Sequence, residues 1–241
     1  MAVTAESISQ PTPDDPRVSR GLFTVTEAAG WLTVPRSTFH GWVYGYERQG
    51  APCGRPIVLS LAARRGEPAV PFLGLAEGMV LSAFRRSGVP LQRIRPALER
   101  LDREMGLRHA LASDRLATDG AELLYEHGSR VDPGGIGALV TVRSGQLVFA
   151  PVVRDSLRRI RYGRDGWAER LELPGYSVVS VVIAPHVAHG RPVLEGSGTP
   201  VEHVLARWIA GESMDELAAD LGLGVPELED VIRAATRRCA A

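Results

Sequence analysis

Cysteine is scarce in this chain. Only Cys53 and Cys239 occur among 241 residues, and they form no Cys-x-x-Cys pair. Structural zinc sites and secreted disulfide frameworks need more thiols at closer spacing. We therefore expect no structural zinc site, no disulfide framework, and no metal or other cofactor.

Lysine and long apolar runs are also missing. All 28 basic residues are arginine, and 28 acidic residues balance them. No stretch approaches 18 consecutive apolar residues, and no apolar run follows a charged start. Spanning segments and signal peptides need such runs, so the sequence predicts a cytoplasmic protein without membrane contact.

Recognisable catalytic patterns are absent from the sequence. It has no paired carboxylates at catalytic spacing, no glycine-rich phosphate motif and no Ser/His/Asp order. His186, His189 and His203 have no carboxylate or thiolate at ligand spacing, which favours hydrogen-bonded loop histidines over a metal site. We expect a protein that is not an enzyme.

Residues 23–43, FTVTEAAGWLTVPRSTFHGWV, have the pattern of a helix-turn-helix. Thr26 is a candidate N-cap for the first helix, and Pro35 suits the first turn of the second. The spacing i, i+3, i+4, i+7 predicts one buried face on the first helix. That face comprises Val25, Ala28, Ala29 and Leu32.

The second of these helices has two unlike sides. Its apolar side would pack on the first helix, and its polar side lies where a recognition helix meets DNA bases and phosphates. The alternative is a core scaffold of two packed helices. The apolar side holds Phe39, Trp42 and Val43, and the candidate DNA-binding residues here are Arg36, Ser37, Thr38 and His40.

A wing is predicted after the second helix. Residues 44–54 form a glycine-rich loop, residues 56–61 are strand-like, and the chain returns at residues 70–73 after a basic turn. Residues 20–65 carry six arginines and two acids, a net charge of +4, which is typical of a DNA-binding surface. The candidate DNA-binding residues of the wing are Arg48, Arg55, Arg64 and Arg65.

Residues 23–43 resemble the start of a MerR-type winged-helix domain. Residues 75–88 and 89–106 resemble its two following helices. The resemblance implies a DNA-binding domain, which we place with its following helices at residues 21–130, after a disordered arm at residues 1–20.

The middle of the chain is predicted to be a β-rich connector, residues 131–180. The DPGGIG break at residues 132–137 opens it, and strand-like residues 139–142 and 147–149 flank Ser144-Gly145, a hairpin signal. Residues 154–164 are rich in arginine, with Leu157 and Ile160 on the buried side.

The last segment, residues 181–241, is predicted to be a helical domain. Ser213 and Glu216 form a capping box, and Val204, Leu205 and Trp208 are expected to point inward. Residues 201–241 hold eight acids and four arginines, which disfavours DNA binding by the final helix and favours a toxin or a second copy of the chain as partner.

Residues 189–222 resemble a small helical domain found in antitoxins encoded beside PIN-like ribonuclease toxins. The usual Gly-Thr-Arg-Ile-Pro turn reads Gly196-Ser197-Gly198-Thr199-Pro200 here, so its arginine is missing. With the MerR-like front, the chain resembles a VapB-type antitoxin of a type II toxin–antitoxin system.

This resemblance implies operator DNA and a PIN-like ribonuclease toxin as partners, repression of the chain's own operon, and a homodimer. The alternative is a free-standing MerR-like regulator that senses a small molecule through its C-terminal half. The expected fold is mainly α with small β elements (α+β). The candidate partner-binding residues are Arg158, Arg159, Arg161, Arg233, Arg237 and Arg238.

Overall fold

The computed structural model describes residues 9–48, 51–105, 108–116, 124, 140–143 and 146–239. Helices dominate and the strands are short, which confirms the α+β class. The helices are α1 Pro16–Ser19, α2 Val25–Trp31, α3 Arg36–Tyr44, α4 Phe72–Arg86, α5 Leu91–Met105, α6 Pro151–Leu157, α7 Val201–Ile209, α8 Met214–Leu221 and α9 Val225–Cys239. The strands are β1 Tyr46–Arg48, β2 Ala51–Gly54, β3 Val140–Arg143, β4 Gln146–Phe149, β5 Ile160–Tyr162, β6 Ala168–Glu172, β7 Val181–Ile183 and β8 Val193–Leu194.

The helix-turn-helix begins two residues earlier than the predicted N-cap. Thr24, not Thr26, caps α2, because its hydroxyl accepts from the Glu27 N–H while the Glu27 carboxylate accepts from the Thr24 N–H. This reciprocal capping box satisfies two donors at the helix start. Thr33 takes a left-handed conformation (φ 54°) in the turn, and Pro35 is the N-cap of α3.

Helix α4 is the centre of the molecule. All thirteen residues from Phe72 to Phe84 are buried, so this helix has no solvent face over that length. It contacts α1, α6, β6 and the short 3-10 helix Ala110–Ala112. A helix that is apolar on every side belongs to an interior. The front and back of the chain therefore share one core.

The β elements of the middle region form two separate sheets. Strands β3 and β4 pair antiparallel, with Val142 opposite Leu147, which confirms the predicted hairpin. Strands β5 to β8 form an antiparallel sheet in chain order. Leu171 of β6 pairs with Ile183 of β7, so the predicted boundary between residues 180 and 181 falls within one sheet.

The C-terminal helices follow the predicted pattern with two differences. The capping box of Ser213 and Glu216 is confirmed. Trp208 lies on the side of the buried Val204, but it remains 40% exposed because the core ends there. Asp230, one of the eight acids counted against DNA binding by the last helix, is fully buried. Its carboxylate accepts from the backbone N–H groups of residues 177–179.

The predicted disordered arm is wrong for residues 9–20. Asp15 caps α1, and Arg17 donates to both Asp15 and Asp165 across the surface. The indole of Trp167 donates to the Ser9 carbonyl at 2.8 Å. These specific bonds hold a segment whose composition alone favoured disorder.

Candidate nucleic-acid interface

Helix α3 has one exposed polar face and one buried apolar face. Arg36, Ser37 and His40 are exposed, and Thr38 is partly buried. The four predicted residues therefore lie together at the N-terminal half of the helix. The ring of Tyr44 continues the exposed face, with its centroid 4.7 Å from that of His40.

The inner face of α3 fixes the helix to the core. Phe39 and Trp42 are buried and meet edge to face, with ring centroids 5.8 Å apart. Gly78 of α4 makes room for this packing, since a Cβ there would lie 2.7 Å from the Phe39 ring. The close approach holds the exposed face in a fixed orientation relative to α4.

The wing differs from the prediction. Its hairpin is β1 and β2, with Arg48 opposite Ala51. Residues 56–61 form no strand, because their backbone donors are used elsewhere: Ile57 donates to the Trp42 carbonyl at 2.8 Å, and Leu59 donates to the Glu77 carboxylate at 2.6 Å.

The basic residues of the predicted wing fall into two places. Arg55 follows β2 and is exposed. Arg64 and Arg65 are exposed in a separate turn, which Glu67 closes by accepting from the Arg64 N–H at 2.9 Å. These two arginines are therefore not at the hairpin tip as predicted. The side chain of Arg48 lies outside the part of the chain that the structure describes.

Arg95 of α5 supports the hairpin, a role that the sequence did not reveal. Its guanidinium lies over the Tyr46 ring, 5.6 Å from the centroid, and donates to the Arg55 carbonyl. Burial lowers its pKa from the ordinary arginine value. No local motif in the sequence marks a cation that stacks on a strand residue.

A buried carboxylate lies behind the hairpin. Glu77 is 2% exposed on α4, and besides Leu59 it contacts His109, whose Nδ1 lies 2.8 Å from Glu77 Oε1. Burial lowers the pKa of His109, but the hydrogen bond with Glu77 and the negative charges of Glu77 and Asp102 together outweigh burial, and the net pKa is raised. The sequence signal for this buried carboxylate is a single acidic residue within an otherwise apolar helix.

The predicted partner-binding arginines lie on two parts of the surface. Arg158 and Arg161, after α6 and in β5, are exposed, whereas Arg159 is bound to Glu172 at 2.8 Å. On α9, Arg233 lies 3.6 Å from Glu229, and Arg237 donates to the Gly175 carbonyl at 3.3 Å. The side chain of Arg238 is not among those described.

The described residues contain neither a cluster that could bind a metal ion nor a membrane-spanning helix. No three histidine, cysteine, aspartate or glutamate side chains among them are grouped so as to hold a metal ion. In the same part of the chain, no helix is long and apolar enough to cross a membrane. His186, His189 and His203 are exposed.

Comparison with known families matches the two ends of the chain. A family described as "Putative DNA-binding HTH domain" matches residues 21–98. A second, described as "Protein of unknown function (DUF433)", matches residues 181–234. The first contains the α3 face and the hairpin, and the second contains β7, β8 and most of the last three helices.

Relatives of the whole chain come from Mycobacterium tuberculosis. The "Putative antitoxin VapB45" is 42% identical over 88% of this chain and 93% of its own length. The "Uncharacterized protein Rv2308" is 30% identical over 89% of this chain and 90% of its own. The crystal structure of Rv2018 has a TM-score of 0.80 and 38% identity, covering 90% of this chain and 99% of that one. The chain thus belongs to the VapB45-type antitoxin family, with an N-terminal helix-turn-helix DNA-binding domain and a C-terminal DUF433 domain.

Proposed function

We propose that the chain is the antitoxin of a type II toxin–antitoxin pair and represses its own operon through the N-terminal winged helix. The observation that carries this proposal is the α3 face of Arg36, Ser37 and His40, exposed on a helix whose other side is buried. Such a face fits the major groove, where arginine binds guanine and hydroxyl or imidazole groups bind phosphate.

The second part of the proposal is direct binding of a PIN-like ribonuclease toxin. The 42% identity to a protein named as an antitoxin supports it. An arginine inserted among the acidic residues of a metal-dependent ribonuclease would make a strong charge-assisted contact. Arg158 and Arg161 are the better candidates by exposure, since Arg159 is already bound to Glu172.

We further propose that the chain acts on DNA as a cytoplasmic homodimer and has no enzymatic activity of its own. A single recognition helix covers one half-site, and a two-fold dimer would read an inverted repeat.

Co-expression with the PIN-like ribonuclease encoded beside this gene tests the proposal. We expect a stable complex, rescue of growth, and protection of the operon's promoter by the antitoxin in footprinting. Arg36→Ala should weaken promoter binding while still rescuing growth. Failure of the wild-type chain both to co-purify and to rescue growth would contradict the toxin-binding part.

A second candidate function is regulation by a small molecule. A cleft of about 680 Å³ lies between the helix-turn-helix and the C-terminal half, beside the start of α3. Its volume suits a small ligand, and a ligand there would touch both halves. A change in promoter affinity on adding a compound from a thermal-shift screen would favour this function. The cleft is lined by residues that include Val34, Pro35, Tyr176, Ala234 and Arg237.

A further inference from the structure

The end of α7 exposes apolar side chains. Ile209 is 77% exposed, the largest value among the large apolar side chains that the structure describes, and Trp208 beside it is 40% exposed. Leu205, one turn earlier, is partly buried. A tryptophan and an aliphatic residue side by side on a surface are typical of the anchors of protein interfaces.

Acidic side chains are exposed on α7, the helix that carries this apolar surface, and on α8. Glu202 is exposed and lies two turns before Ile209 on the same side of α7. Asp215, near the start of α8, is also exposed. Residues 201–241 as a whole carry eight acids against four arginines, and without the buried Asp230 the acids still exceed the arginines by three. The exposed apolar end of α7 thus lies in a segment of net negative charge, which we call its negative rim.

Arg207 is outnumbered by the two acids that it binds, so the three side chains together remain negative. Its guanidinium donates to Glu212, with Nε to Oε2 at 2.7 Å, and also to Asp220 of α8. These bonds neutralise the arginine and tie the end of α7 to α8. The surface is held in one geometry before binding, which lowers the entropy lost on association.

Charge decides among the possible occupants. Nucleic acid would meet like charge. A second copy of the chain, docking around a two-fold axis, would bring two negative rims together. A protein with a basic rim around an apolar pocket is complementary to this surface in both charge and hydrophobicity. An RNA-cleaving enzyme has such a rim, because it must present cations to phosphates.

We propose that Trp208 and Ile209 anchor the chain on a basic protein surface, and that this surface is the RNA-binding face of the ribonuclease toxin, an assignment that rests on the proposed antitoxin function. The acidic C-terminal helices then cover the cations that would hold RNA. Inhibition follows from this occlusion, which acts in addition to any arginine contact at the toxin's acidic residues.

The test uses the full chain and the neighbouring PIN-like ribonuclease, with RNA cleavage and binding as readouts. Ile209→Asp should weaken inhibition at least tenfold without lowering thermal stability, since its side chain is mostly in solvent. Trp208→Ala should act in the same direction. Val152→Asp, at a residue 40% exposed on α6, is the matched control and should inhibit like the wild type.

The charge of the rim is tested by Glu202→Arg, which should slow association and flatten its dependence on salt. If the wild-type chain inhibits and Ile209→Asp inhibits equally well, the anchor is wrong while the antitoxin function stands. If Ile209→Asp instead dissociates a homodimer in light scattering and leaves inhibition intact, the surface is a self-interface and the proposal is overturned. Lack of binding by the wild-type chain would overturn both proposals.

Discussion

Glu27 joins the two halves of the chain through its two carboxylate oxygens. Oε2 accepts from the N–H and the hydroxyl of Thr24, at 2.8 and 2.9 Å, and so completes the cap of α2. Oε1 accepts from Arg191 Nη1 at 3.1 Å, on the turn that precedes β8. One side chain therefore both starts the helix-turn-helix and holds it against the C-terminal half.

The helix cap and the ion pair formed by Glu27 should contribute differently to the free energy of unfolding. Thr24→Ala removes the helix cap and should lower the free energy of unfolding by about 1 kcal/mol. Arg191→Ala removes an ion pair whose partners are both about 40% exposed, so its effect should stay below about 1 kcal/mol. Urea denaturation measures both. A larger loss from Arg191→Ala than from Thr24→Ala would contradict this ranking.

Arg36 should contribute to sequence discrimination. Its exposed position at the first residue of α3 allows a bidentate contact with guanine. Arg36→Ala should weaken binding to the cognate operator by roughly 1–3 kcal/mol and change binding to random DNA far less. Fluorescence anisotropy with both duplexes measures the difference. Arg158→Ala, an exposed arginine outside the helix-turn-helix, is the control.

Arg64 and Arg65 should contribute affinity without discrimination. They lie in an exposed turn that is not part of α3, which suits phosphate contacts. Arg64→Ala and Arg65→Ala should weaken binding to cognate and random duplexes alike, and each should reduce the slope of log affinity against log salt by about 1. Loss confined to the cognate duplex would place this turn on base edges instead.

Asp230 should be a large contributor to stability. Its buried carboxylate accepts from three backbone N–H groups and from the Ser177 hydroxyl. Burial raises its pKa, but the N–H groups of Val178, Ser177 and Val179 and the Ser177 hydroxyl together outweigh burial, and the net pKa is lowered. Asp230→Ala leaves these donors unpaired and should cost roughly 2–4 kcal/mol in urea denaturation. Glu229→Ala, next to it and exposed, should cost under about 0.5 kcal/mol.

The pair of His109 and Glu77 should make stability depend on pH. The pKa of His109 is raised in the folded chain, so the pair stabilises the protonated form. Its contribution is full below the unfolded histidine value of about 6.5 and is lost as pH rises through the folded pKa. The melting temperature of the wild type should exceed that of His109→Gln by more at pH 6 than at pH 9. An equal difference at both values would mean that the pair is uncharged.

Local sequence signals predicted those parts of the fold that depend on neighbours in the chain. The Ser213 cap, the hairpin around residues 144–145 and the two-sided pattern of α3 each follow from residues within one or two turns. The α3 face could be predicted in full, since helical spacing alone separates Arg36 and His40 from Phe39.

Parts that depend on distant contacts escaped prediction. The residues around Asp230 in the sequence do not predict its burial, because residues 177–179 supply donors for it from far away in the chain. Residues 56–61 are apolar enough for a strand, but Trp42 and Glu77 take their backbone donors. Arg95 and Glu77 act on the hairpin and on the loop behind it only once α4 and α5 are packed.

Because α4 is buried on all sides, only some truncated fragments and chimeras of the chain should fold. Truncation after α5 would remove α6 and β6, which pack on this helix, and would expose its apolar surface to water. Such a fragment should aggregate rather than fold as an isolated DNA-binding domain. Chimeras that exchange the helix-turn-helix between relatives should therefore fold only if they carry matching partners for α4 from the other half of the chain.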